Sequence, residues 1–324
     1  AAYIKTEPPV RLSLNYYTLA DRQDNLFSGF IQDEISLVPG RLLLTLGTKY
    51  EYNPYTDSEW QPSARMLWKP HDRHTLWLSA ARAVRTPAMV ERDGKVLTGL
   101  FPGPMGPSPI YMTGNDAFES EVLFAYESGY RWQATERLFF DAAFFYNDYD
   151  KVLTVNTVAS ATGMRADFAN SIGGKSYGFE LAADWKATDA LNFSLAYSYI
   201  HLSLDDNSSA AEAFGDIRNK NTPQHQLSMR GSYKLLSNLQ INLWGRYHDN
   251  FATHALTEIG GKTYDIDSSF TLDANLIWAP VENLELMLAG QNLLDSRQLN
   301  YVSEYAIPPT EIERSIYGKV TWRF

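Results

Sequence analysis

The sequence predicts an all-β fold, an antiparallel transmembrane β-barrel with about fourteen strands in this chain. Three observations predict it. Apolar and polar residues alternate with a period of two along most of the 324 residues. The candidate strands are joined alternately by tight turns and by long connections. The last strand is amphipathic and ends on an aromatic residue, Phe324.

The alternation comes first, because successive side chains of a strand point to opposite faces of the sheet. In residues 224–235, His225, Leu227, Met229, Gly231, Tyr233 and Leu235 share one face, and Gln224, Gln226, Ser228, Arg230, Ser232 and Lys234 share the other. In 239–248, Leu239, Ile241, Leu243, Gly245 and Tyr247 alternate with Gln240, Asn242, Trp244, Arg246 and His248. Phe270, Leu272, Ala274, Leu276 and Trp278 alternate with Thr271, Asp273, Asn275 and Ile277. Strands are expected near 10–19, 24–37, 41–53, 59–69, 74–85, 118–133, 137–153, 171–187, 190–204, 223–235, 238–250, 265–279, 284–297 and 312–324. Most reach the roughly 9–11 residues that a tilted strand needs to cross a bilayer.

The connections give the second observation. Short turns are expected at 38–41, 69–74, 134–137, 187–190, 235–238 and 279–283. Longer segments at 53–59, 86–117, 154–170, 205–222, 251–264 and 298–311 fall between them. Short turns on one side of a membrane and long loops on the other produce this rhythm. A soluble sandwich has no reason to keep every second connection short, and no propeller-type repeat is visible.

Composition narrows the function classes. With no cysteine, disulfides, thiol catalysis and thiolate metal sites are excluded. A net charge of −10 argues against nucleic acid as a partner. Tyrosine, phenylalanine and tryptophan number 20, 16 and 8, yet the mean hydropathy is −0.31. No apolar run is long enough for a transmembrane helix. The opening AAYIKTEPPV has neither the basic nor the apolar region of a secretory leader, which is expected to lie outside this chain.

The last strand gives the third observation. Ile316, Gly318, Val320, Trp322 and Phe324 alternate with Ser315, Tyr317, Lys319, Thr321 and Arg323. An amphipathic terminal strand ending in an aromatic looks like the signal read by the outer-membrane barrel-assembly machinery, with Tyr317, Val320, Trp322 and Phe324 as its candidate residues.

Six segments carry a family resemblance. They are FIQDEISLVPGRLLLTLGTKYE (30–51), QPSARMLWKPHDRHTLWLSAARAVRTP (61–87), ESGYRWQATERLFFDAAFFYNDYDKVL (127–153), TPQHQLSMRGSYKL (222–235), LAGQNLLD (288–295) and YGKVTWRF (317–324). In this order they resemble the TonB-dependent outer-membrane receptors, over roughly residues 24–324. The resemblance implies a barrel of about 22 strands around a plug domain. This chain is too short for that and shows no plug-like segment before its first strands. Residues 1–324 are therefore expected to be the C-terminal part of such a barrel, with the plug and the first barrel strands outside the chain; a self-contained smaller barrel of even strand number is the alternative.

The resemblance further implies a location in the outer membrane of a Gram-negative bacterium. It implies uptake of an iron–siderophore or similar scarce nutrient, and no enzyme activity or cofactor. The implied partners are outer-membrane lipid and lipopolysaccharide, the assembly machinery, a small-molecule nutrient, and the TonB complex acting through the absent plug. The alternatives are a plugless, porin-like channel and, last, an outer-membrane hydrolase. The hydrolase would need a nucleophile–histidine pair, for which His201 and His248 near the outer strand ends are the candidates.

Candidate ligand contacts are read from the loops and the polar face. The proline- and glycine-rich segment 86–117 offers Phe101, Met105 and Tyr111, either as a lid over a ligand or as a loop folded over its own barrel mouth. Arg85 at the end of a strand, with Arg131, Arg230 and Arg246 on the polar face, suits anionic groups, because guanidinium binds carboxylates with two parallel bonds. Structural ion pairs are the competing reading for the polar face. The acidic stretch 205–222 lacks the spacing of a calcium loop, and the scattered histidines form no metal motif. No metal site and no catalytic residue are expected. If the two faces are assigned correctly, Leu272→Arg costs about 2–4 kcal/mol near the bilayer midplane and Asp273→Arg far less.

Overall fold

The computed structural model describes residues 2–5, 11–12, 15–18, 23–103, 106–160, 163–205, 219–255, 262–300 and 310–324. Among them, the alternating segments form a meander of long strands: β1 (Gln23–Val38), β2 (Leu42–Asn53), β3 (Asp57–His71), β4 (His74–Arg85), β5 (Glu121–Thr135), β6 (Leu138–Ser160) and β7 (Gly163–Lys186). It continues with β8 (Leu191–Asp205), β9 (His225–Leu236), β10 (Leu239–His248), β11 (Ser269–Val281), β12 (Leu284–Gln291) and β13 (Ser315–Trp322). Each strand pairs antiparallel with the next. With shorter strands at one end they make an 18-stranded sheet.

The expected rhythm of connections holds at one end of this wall, the turn end. There β1–β2, β3–β4, β5–β6, β7–β8, β9–β10 and β11–β12 are joined by tight turns. The first is Val38–Arg41, closed by Arg41 N–H donating to Val38 O at 2.9 Å. Pro39 fixes its own φ, and Gly40 takes a φ of 69°, open to glycine at no steric cost. Five of the six turns carry a register shift in the ladder beside them, the local bulge that twists a hairpin as it closes.

The loop end departs from expectation in several places: the expected connection 154–170 is mostly strand, and the expected connection 251–264 holds the paired strands Phe251–Ala255 and Lys262–Ile266. Residues 53–59 form a tight turn, because the Asn53 side chain accepts the N–H groups of Tyr55 and Thr56, both at 3.0 Å. The expected strand 10–19 is two short pieces, Arg11–Leu12 and Asn15–Thr18. The segment 86–117 is built, not open: it holds helix α1 (Met89–Asp93) and a hairpin of Lys95–Gly103 with Gly106–Thr113. That hairpin pairs in parallel with the outer part of β7, Ile110–Thr113 against Met164–Asp167. β6 and β7 reach it because they run past the wall as a projecting hairpin, beyond a bulge at Asp150–Lys151 where Lys151 has a φ of 57°.

Buried apolar side chains gather at two places, around Ile266, against which Phe251, Tyr264 and Leu299 pack, and at this rim. Phe118 is 0 % exposed and meets Phe168 edge to face, and Val96, Ala166 and Ile172 are buried with them. A barrel wall is a single layer, so only where a second layer covers it can side chains be enclosed by protein on both sides.

Candidate functional site

The wall has two different faces. Leu181, Phe193, Leu195, Met229, Leu243, Phe270, Leu276 and Leu288 are exposed on one of them. Trp68, Trp132, Phe140, Trp185 and Trp278 mark the same face near the turns, and Tyr126, Tyr146 and Tyr177 mark it toward the loop end. Such an apolar band between aromatic girdles is what lipid requires of a barrel exterior.

The opposite face is concave. Trp77, Glu127, Asp141, Glu180, Ser198, Ser228 and Trp244, from seven successive strands β4 to β10, line one hollow of about 870 Å³. Its charged groups are mostly paired across strands. Arg131 Nε donates to Asp141 at 2.9 Å, Ser79 Oγ to Glu127 at 3.1 Å, and Ser194 Oγ to Asp184 at 2.6 Å. Arg246 donates to Asp273 at 2.6 Å and to Thr271 Oγ1 at 3.2 Å.

Aromatic rings lie flat among these charges. The Arg65 guanidinium sits 5.0 Å from the Trp77 ring centre. Arg230 and Arg246 both stack on Trp244, at 4.3 and 4.0 Å. Trp77 also lies across Gly129, where a Cβ would come within 2.3 Å of the indole nitrogen, so the ring position depends on that glycine.

At the loop end, Arg85 closes an ion cluster. It donates to both carboxylate oxygens of Glu91 at 3.0 Å and to Glu121 at 2.8 Å. Glu91 also accepts Ala88 N–H, satisfying the free N-terminus of α1. Glu121 also accepts Leu153 N–H at 2.8 Å. One guanidinium thus ties β4, α1, β5 and β6 together. Nearby, Lys151 pairs with Glu119, and Asn170 bonds the backbone of both Glu119 and Lys151. The rim is fastened to the wall by buried and charged contacts together.

The sequence-predicted residues divide accordingly. Arg131, Arg230 and Arg246 share the concave face; Arg85 is held in the rim cluster. Tyr111 lies in the rim hairpin with Lys95 Nζ 4.4 Å above its ring. Met105 and the Phe101 side chain lie outside the described residues. Val320 and Trp322 are exposed beside Leu286 and Leu284 of β12, Tyr317 points to the other face, and Phe324 is exposed at the chain's end. His201 packs on Tyr177 of the apolar face, whereas His248 lines the hollow and contacts Ser269 Oγ at 2.8 Å. Of the two, only His248 lies against a serine hydroxyl, and that hydroxyl also accepts from Gln298 Nε2. Trp244 was legible only as an anomaly, a tryptophan at a polar-face position. Glu91 gave no signal, because its partner Arg85 is fixed by a turn of chain that sequence periodicity does not describe.

A one-layer antiparallel wall with an apolar exterior, a charged concave face and a built rim is the architecture of a transmembrane β-barrel. Residues 3–293 match the family described as TonB dependent receptor-like, beta-barrel, and the chain belongs to that family. The fold is similar to a ferric enterobactin receptor (PfeA) from Pseudomonas aeruginosa, with a TM-score of 0.71 and 18% identity over 94% of this chain and 45% of that one. It is similar to the siderophore receptor PirA from Acinetobacter baumannii, with a TM-score of 0.70 and 18% identity over 93% of this chain and 46% of that one. The ferric-catecholate import receptor Fiu from E. coli K12 matches with a TM-score of 0.70 and 14% identity over 96% and 45%. The chain spans a little under half the length of each of these three.

Proposed function

We propose that this wall belongs to an outer-membrane receptor of a Gram-negative bacterium that takes up an iron–siderophore complex or a similarly scarce nutrient. The TonB complex supplies the energy through a plug carried on sequence outside this chain. The observation that carries the proposal is the concave face, where arginines and tryptophans are held in register under a fastened rim. Siderophore complexes are often anionic and aromatic, and guanidinium and indole groups match both properties. Arg131, Arg230 and Arg246 are the proposed wall contacts, with Arg85 and Tyr111 at the rim and Phe101 and Met105 from the same stretch of sequence. The similarity to solved siderophore receptors supports the same reading.

The apolar face would contact lipid and lipopolysaccharide, and Tyr317, Val320, Trp322 and Phe324 would be read by the assembly machinery. The test of the transport reading is iron uptake. Deleting the encoding gene should abolish uptake of radiolabelled iron presented as a tricatecholate complex, and the intact gene should restore it. Unchanged uptake of tricatecholate, trihydroxamate and citrate complexes in the deletion strain would overturn it.

A further inference from the structure

We infer that Arg230, Trp244 and Arg246 form a carboxylate-binding station on the concave wall. It rests on the reading of that face as the lumen side of a barrel. The three residues come from β9 and β10, with Arg230 directly opposite Trp244 in the ladder. The indole is locked, because its Nε1 donates to Ser228 Oγ at 2.8 Å. Two guanidinium groups lie over the ring, at 4.3 Å for Arg230 and 4.0 Å for Arg246.

The two arginines are not equivalent. Arg246 is committed to Asp273 and Thr271. Arg230 is exposed and forms no ion pair among the described residues. In the ladder, Ser194 of β8 stands opposite Arg230, and beyond it Asp184 of β7 already accepts the Ser194 hydroxyl. The stack therefore holds two positive charges against one carboxylate. A guanidinium held over an aromatic ring has already lost part of its conformational freedom, and its planar fork matches a carboxylate through two parallel hydrogen bonds. The Ser228 hydroxyl accepts from Trp244 and keeps its own hydrogen to donate, and the hollow lined by Ser228, Trp244 and Arg246 gives a small anion room.

The carboxylate has two sources with the same chemistry. It is either an acidic side chain of polypeptide occupying the lumen or a free polycarboxylate passing through it. Isothermal titration of the purified full chain in detergent micelles at low salt tests the station with two probes, citrate and a capped tetrapeptide bearing two glutamates. At least one should bind, and the stronger one identifies the source. Arg230→Gln should weaken that binding about tenfold or more, as losing a charged hydrogen-bond donor does. Arg230→Lys should recover only part of it, since ammonium keeps the charge and loses the fork. Asp273→Asn should tighten it, by releasing Arg246. Failure of both probes to bind the unaltered chain, or equal affinity in Arg230→Gln, overturns the inference; heat-modifiable gel migration confirms that each variant is folded. Binding without iron uptake would leave the station standing and remove the transport reading, and uptake without binding would do the reverse.

Discussion

The convex and concave faces of this wall are built from neighbouring residues, yet they obey different rules. On the convex face Leu276, Leu243 and Met229 stand exposed, and lipid asks of them only that they be apolar. On the concave face Asp273 is defined by its partners, accepting Arg246 on one oxygen and Asn292 N–H on the other. A convex residue can be exchanged for any apolar one, whereas a concave residue belongs to a cross-strand set. The difference teaches that the two sides tolerate change for separate reasons: burial in solvent of another kind on one, satisfaction of paired charge on the other.

The largest expected effect breaks the convex rule. Leu272→Arg should cost about 2–4 kcal/mol in urea titrations of the chain folded into vesicles, where the site lies near the midplane. A cost near zero would mean that Leu272 does not face lipid. The concave counterpart is larger than face assignment alone suggests. Asp273→Ala strands the Arg246 guanidinium and the Asn292 amide, and should cost about 1.5–3 kcal/mol in the same titration. Restoration of stability by the further change Arg246→Ala would show that the pair, not the site, sets the cost.

Glu91→Gln weakens the rim instead of the wall. Glu91 is buried and holds Arg85 and Ala88, so the change should cost about 1–2 kcal/mol locally. Limited proteolysis within 86–117 should accelerate while the global unfolding midpoint stays put; a shifted midpoint would mean that rim and wall unfold together. The smallest effect is expected at the turn end. Arg137 and Asp189 form an exposed pair at 2.6 Å, and Arg137→Ala should change stability by about 0.5 kcal/mol or less.

The wall was legible because its causes are local. Period-two alternation finds β1 to β13 where they form the wall, and Pro39–Gly40 announces its turn, but the expected strands end at 153 and resume at 171 where β6 runs on to Ser160 and β7 starts at Gly163. The rim was not legible. Its hairpin contains Pro102, Pro107, Pro109 and three glycines, composition that reads as a loop, and its pairing partner at 164–167 lies some fifty residues further on. The turn at 53–57 was hidden for the opposite reason: one side chain, Asn53, closes it within four residues. Arg131, Arg230 and Arg246 were correctly placed on the polar face, but alternation says nothing about which of them is paired.

What the sequence determined by itself is therefore which face each strand residue takes and the order in which strands meet, since both follow from backbone geometry and short turns. Tertiary structure alone decided that Arg246 is paired and Arg230, among the described residues, is not, that both lie on Trp244, and that the segment after Arg85 is fastened to β7. Those outcomes depend on register between strands and on contacts across long separations, where the partner of a charge is set by which side chains the ladder brings opposite one another.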